Sequence, residues 1–86
     1  MSKTFRINRL RQVHALPVID TFDGETNDCA FLSLTVHQAE DGQKFYMLGS
    51  AFTVLAWTTD ARAAFRAFND APAYTWAEFE AFLRSR

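Results

Sequence analysis

A single cysteine, three glycines and two prolines in 86 residues leave this chain with few special-purpose residues. Cys29 alone forms no internal disulfide, and a lone thiol fits a reducing, cytosolic compartment. So little glycine and proline excludes a linker-rich or low-complexity chain. Long apolar runs are missing as well. The most apolar stretch, Ala51 to Trp57, falls far short of the ~20 residues that span a bilayer. No apolar stretch of the ~7–15 residues of a secretory signal follows the basic start. The expectation is a soluble, cytoplasmic protein of one domain.

Catalytic signatures are equally scarce. There is no G-x-S-x-G, no glycine-rich phosphate loop, no H-E-x-x-H and no paired-cysteine motif. Cys29 and His37 share a strand face by parity. At about 3.3 Å per residue they stand roughly 26 Å apart along a strand, too far to act together. Cys29 reads as a small buried apolar residue and His37 as a polar residue at a strand end. The expectation is a protein that is not an enzyme, with no catalytic residues and no cofactor.

What the chain does have is apolar bulk. Hydrophobic residues make up 49% of it, including nine Phe, two Trp and two Tyr. A chain this short buries only about 60–65% of its unfolded surface, so a dense core of large side chains is required. Phe5 and Ile7 alternate with polar neighbours and predict a strand over 4–9, followed by an irregular or briefly helical stretch ended by Pro17. Residues 18–22 read as a short edge strand, and 23–28 (Asp-Gly-Glu-Thr-Asn-Asp) as a turn. From Cys29 to His37 apolar and polar residues alternate, with Ala30, Leu32, Leu34 and Val36 on one face. The turn 40–43 returns the chain along 44–48, and 51–57 predicts a further strand.

The last third predicts two helices. Thr59 and Asp60 begin the first, which buries Ala61, Ala64, Phe65 and Phe68 and ends at Asn69–Pro72. Thr75 and Glu78 form a capping box for the second, whose apolar face is Trp76, Phe79, Phe82 and Leu83. The fold class is therefore α+β: a small, mainly antiparallel sheet of three to five strands, with two C-terminal helices packed on one face. Phe31 and Thr35 lie on the opposite face, and with Phe45 or Tyr46 they are left for water, a partner or a second copy of the chain.

The charges are sorted along the sequence. Lys3, Arg6, Arg9 and Arg11 fall in the first eleven residues, and Asp20, Asp23, Glu25 and Asp28 within nine, although the net charge is only −1. Local fields of opposite sign orient partners even near overall neutrality. The basic group, with its aromatic neighbour Phe5, suits phosphate contacts and base stacking. Yet four cations are a small footprint, and a pI of 6.0 is far from that of a dedicated nucleic-acid binder. The acidic group, with Asn27, offers oxygen ligands to a hard cation, but without the spacing of a calcium loop, so no metal is expected.

The reading adopted is that the basic segment pairs internally with the acidic loop and leaves an acidic remainder for a partner. That makes the chain a small non-catalytic protein–protein interaction domain, whose partner is a larger protein or complex. It would act through Asp20, Asp23, Glu25, Asp28 and Phe31. The kind of object is one that phages and other mobile elements use as inhibitors, anti-CRISPR proteins among them, an analogy of kind and not of sequence. The alternative is a nucleic-acid-associated regulatory module using Lys3, Arg6, Arg9 and Arg11.

Overall fold

The computed structural model describes residues 4–50 and 53–85, so Lys3, Ala51 and Phe52 lie outside the described residues. A short helix α1 (Leu10–His14) precedes four strands, β1 (Val18–Glu25), β2 (Phe31–Gln38), β3 (Lys44–Gly49) and β4 (Val54–Thr58). Helix α2 (Ala61–Asp70), a 3₁₀ turn over Ala71–Ala73 and helix α3 (Trp76–Ser85) follow. The strands form one antiparallel sheet in the order β1-β2-β3-β4, a meander that leaves β1 at an edge. This is the expected small α+β fold.

Side-chain parity decides what each face of the sheet carries. Register aligns Phe22, Leu34, Leu48 and Ala56 across the four strands, and these residues meet the helices. Leu32, Leu34, Leu48, Phe79 and Leu83 are fully buried in that layer. Helix α2 adds Ala64 and Ala67, with Arg62 and Arg66 exposed on its outer side. Its N-cap is Asp60, whose carboxylate accepts from Ala63 N–H at 3.1 Å, one residue later than Thr59. The capping box of α3 forms as expected: Thr75 N–H donates to Glu78 Oε1 (2.9 Å) and Glu78 N–H to Thr75 Oγ1 (3.2 Å). Tyr46 lies on this helical face, edge-on to Phe65 at 6.0 Å, and not on the open face.

The other face is not left bare. The predicted strand over 4–9 is reduced to one antiparallel bridge, Arg6 to Trp57, on the far side of β4. Arg9 then turns into the left-handed region (φ 55°), and the Trp57 indole N–H donates to Asn8 O. These two features end any strand and send α1 across the sheet. Val13 packs with Met47 and Trp57 there, beside Leu10, Phe45 and Val54. His37, expected as a polar strand-end residue, is buried beneath this crossing segment. Its Nδ1–H donates to Leu16 O at 2.9 Å, since a carbonyl only accepts, and Nε2 lies 2.9 Å from the Thr35 hydroxyl.

Two turns differ in how well their sequence announced them. Gly42 takes φ 90° in the β2–β3 hairpin, as its position in the Glu40–Gln43 turn predicts. Asp23-Gly24, by contrast, is not a turn. Gly24 sits in β1 where a Cβ would come within 3.0 Å of Phe68 Cζ, so its lack of a side chain serves packing against α2. The strand therefore runs on to Glu25, and the loop shrinks to Asn27, Asp28 and Cys29. Cys29 closes that loop at φ 63°, where glycine is usual, and its thiol is exposed, not buried. Cys29→Gly is accordingly expected to raise stability by roughly 1 kcal/mol, because a left-handed conformation strains any residue with a Cβ. Urea denaturation of the two proteins measures it.

Candidate functional site

The acidic residues form an edge, not a loop. Asp20, Asp23 and Glu25 are exposed along β1, with Asp23 paired to Ser33 and Glu25 to Phe31. Antiparallel ladders alternate between residues that bond across the pair and residues whose backbone points away. Thr26 N–H donates to Ala30 O at 3.0 Å, which fixes the alternation. Residues 24, 22 and 20 therefore bond to β2, while the N–H and C=O groups of Thr21, Asp23 and Glu25 point outward from the sheet. Thr21 N–H is met there by Asp20 Oδ1 at 2.9 Å.

Apolar surface borders this edge. Phe31 is 50% exposed, Val18 53% and Ile19 48%. Phe31, Ser33 and Thr35 occupy the half of the open face that α1 does not reach. Phe45 is half-buried against Trp57 at 5.4 Å and belongs to the covered half.

Asp28 has a separate job. Its carboxylate accepts from Trp76 N–H, the first turn of α3, at 3.2 and 3.3 Å, and from the Thr26 hydroxyl. The hydrogen bond from Thr26 is the main cause holding its pKa below the usual aspartate value; desolvation opposes it, and the Trp76 N–H adds to the lowering. A lowered carboxylate pKa contributes stability that is present above the ordinary aspartate range and lost as pH falls through the folded value. Asp28→Asn is thus expected to lower stability at pH 7, with the gap from wild type closing in acid below the ordinary aspartate range. A pH series of denaturation midpoints checks the sign. Nothing in the sequence pointed to this contact, since Asp28 and Trp76 are 48 positions apart.

The basic residues lie at the opposite edge. Arg6 pairs with Trp57 beyond β4, and its guanidinium lies 5.7 Å from the Trp57 ring centroid, a cation–π contact. Arg9 and Arg11 are exposed at and on α1. Four inter-strand steps of about 4.8 Å place Arg6 some 19 Å from β1. The internal pairing of the basic segment with the acidic residues is therefore overturned for Arg6, Arg9 and Arg11, Lys3 lying outside the described residues. The Arg6–Trp57 bridge commits the two segments to different edges of the sheet. Among the described residues the ion pair is Arg84–Glu80 on α3, at 3.9 Å, and Asp20, Asp23 and Glu25 have no cation within 4.0 Å.

Cys29 lies in the loop before β2 and His37 near the far end of that strand, so the two do not meet. Among the described residues no three His, Cys, Asp or Glu side chains gather closely enough to hold a metal ion. Asp20 shares the face of Val36 while Asp23 and Glu25 share that of Ser33 and Phe31, so their oxygens diverge. No helix of the described residues is long and apolar enough to cross a membrane. No protein-family model, curated protein or solved structure matches the chain.

Proposed function

We propose that this chain is a non-catalytic protein–protein interaction domain of the cytoplasm that acts by occupying a surface on a larger protein. The observation that supports this reading is the exposed carboxylate row Asp20, Asp23 and Glu25, unmatched by any cation of the described residues and bordered by the half-exposed Phe31. A charged rim beside an apolar anchor is how many interfaces combine steering with affinity. Asp28 adds charge nearby, but its oxygens are already engaged by Trp76 and Thr26. A small stand-alone domain with such a surface suits an inhibitor of the kind mobile elements encode.

The test is capture from extract of the native cell, with mass spectrometry, using wild type beside a variant carrying Asp20→Asn, Asp23→Asn and Glu25→Gln. Proteins retained by wild type are expected to be lost or weakened with the variant, and their affinity to become less salt-dependent. Equal capture at equal salt would refute the reading.

The alternative, a nucleic-acid-associated module, draws on Arg9 and Arg11, which are exposed and without an ion pair among the described residues. It requires retention on DNA or RNA near ~50 mM salt and release by ~200 mM, because counterion release dominates such binding. No retention at low salt removes it.

A further inference from the structure

We infer that the free edge of β1 accepts a basic, extended segment of the partner as a fifth strand. This rests on the proposed interaction through the acidic row and specifies its geometry. Three features of the edge carry it.

First, the ladder is unfinished. β1 runs eight residues and pairs on one side only. The ladder alternation turns the backbone groups of Asp23 and Glu25 away from β2, and among the described residues no strand pairs with β1 on that side. Outward N–H and C=O groups on an edge strand are a template for an added strand.

Second, the flanking charge selects the occupant. An antiparallel second copy centred on Gly24 would set Asp23 opposite Glu25 twice over, and like charges across a ladder destabilise it. The same repulsion rejects acidic strands. A segment with Lys or Arg at alternate positions puts its cations on the face that carries Asp23 and Glu25. There the long aliphatic stems can also cover Phe31, the half-exposed cross-strand neighbour of Glu25.

Third, the two ends of the edge are closed, which limits the added strand to a few residues. Asp20 Oδ1 already holds Thr21 N–H, and the register shifts between Val18 and Asp20. At the other end Asn27 N–H donates to Tyr74 O at 2.8 Å, which brings the 3₁₀ turn beside the hairpin. The open stretch is centred on Asp23 and Glu25.

The experiment is amide hydrogen exchange by NMR on the whole chain with three six-residue probes. One alternates Lys and Val, one alternates Glu and Val, and one is the Lys–Val peptide N-methylated at alternate bonds. With the Lys–Val peptide at ten times its Kd, exchange at Asp23 and Glu25 is expected to slow about tenfold, as bound and free states interconvert by mass action. The Glu–Val and N-methylated peptides are expected to give no slowing. Saturating, charge-dependent shift changes without slowed amides overturn strand addition and leave the acidic surface standing. No response to the Lys–Val peptide overturns both. Equal slowing by the Glu–Val peptide, or slowing that grows with protein concentration alone, overturns the choice of occupant.

Discussion

Replacing Phe79 with alanine is expected to cost about 3–5 kcal/mol, the range for deleting a buried aromatic ring. Phe79 has no exposed surface and is packed among Leu32, Leu34, Leu48 and Leu83, where α3 meets the sheet. An alanine there leaves a cavity walled by a four-strand sheet that cannot collapse into it. Small domains hold as little as about 5 kcal/mol in total, so the variant is expected to be largely unfolded near its working temperature. Tryptophan fluorescence in urea measures the change through Trp57 and Trp76. A loss below about 1 kcal/mol would mean that Phe79 does not anchor α3 in the core.

Trp57→Ala is expected to cost a similar ~3–5 kcal/mol, but for a different reason. Trp57 anchors the opposite face: its ring packs on Val13, Met47 and Phe45, its indole N–H holds Asn8 O, and Arg6 lies against it. Its loss releases α1 and the flanking Arg6, Arg9 and Arg11 from the open face, while the helical layer keeps its contacts, among them Phe5 against Phe82. Hydrogen exchange separates the two cases. Amides of Arg6 and Val13 should lose protection ahead of those in β2, whereas Phe79→Ala should lower protection everywhere at once. Uniform loss in Trp57→Ala would contradict an independently anchored crossing segment.

The elements that announce themselves in the sequence are those fixed by local pattern. Alternation over residues 30–37, the Asp41-Gly42 turn and the Thr75–Glu78 capping box each specify geometry within a few residues, and each forms. The same alternation placed Phe31 on the open face. What stayed hidden depends on contacts far along the chain. Gly24 reads as a turn because Asp-Gly usually is one, but Phe68 claims the space beside it. The N-terminal strand reads as regular because nothing local reveals that Trp57 takes the carbonyl of Asn8.

The site was legible in its residues and not in its arrangement. Asp20, Asp23, Glu25 and Phe31 were identifiable from charge and parity. That three of them line a strand edge follows from Gly24, which keeps β1 extended through the positions expected to turn. Which edge the cations join is set by one bridge between positions 6 and 57. Sequence neighbours of opposite charge looked like partners, and the meander holds them apart. That separation is the physical basis of the proposed function, since no cation of the described residues neutralises the acidic row.

The most direct test compares charge reversal at the two edges. The pair Asp23→Lys with Glu25→Lys, and separately Arg9→Glu with Arg11→Glu, would each be titrated against the protein captured by wild type. Placing like charges against a partner costs several kcal/mol, so reversal of the β1 edge is expected to weaken binding about 100-fold or more. Reversal at the other edge is expected to leave affinity within about twofold, because charges beyond a Debye length of roughly 8–10 Å are largely screened. Loss of binding on reversing Arg9 and Arg11, with the β1 variant still binding as wild type, would contradict the account.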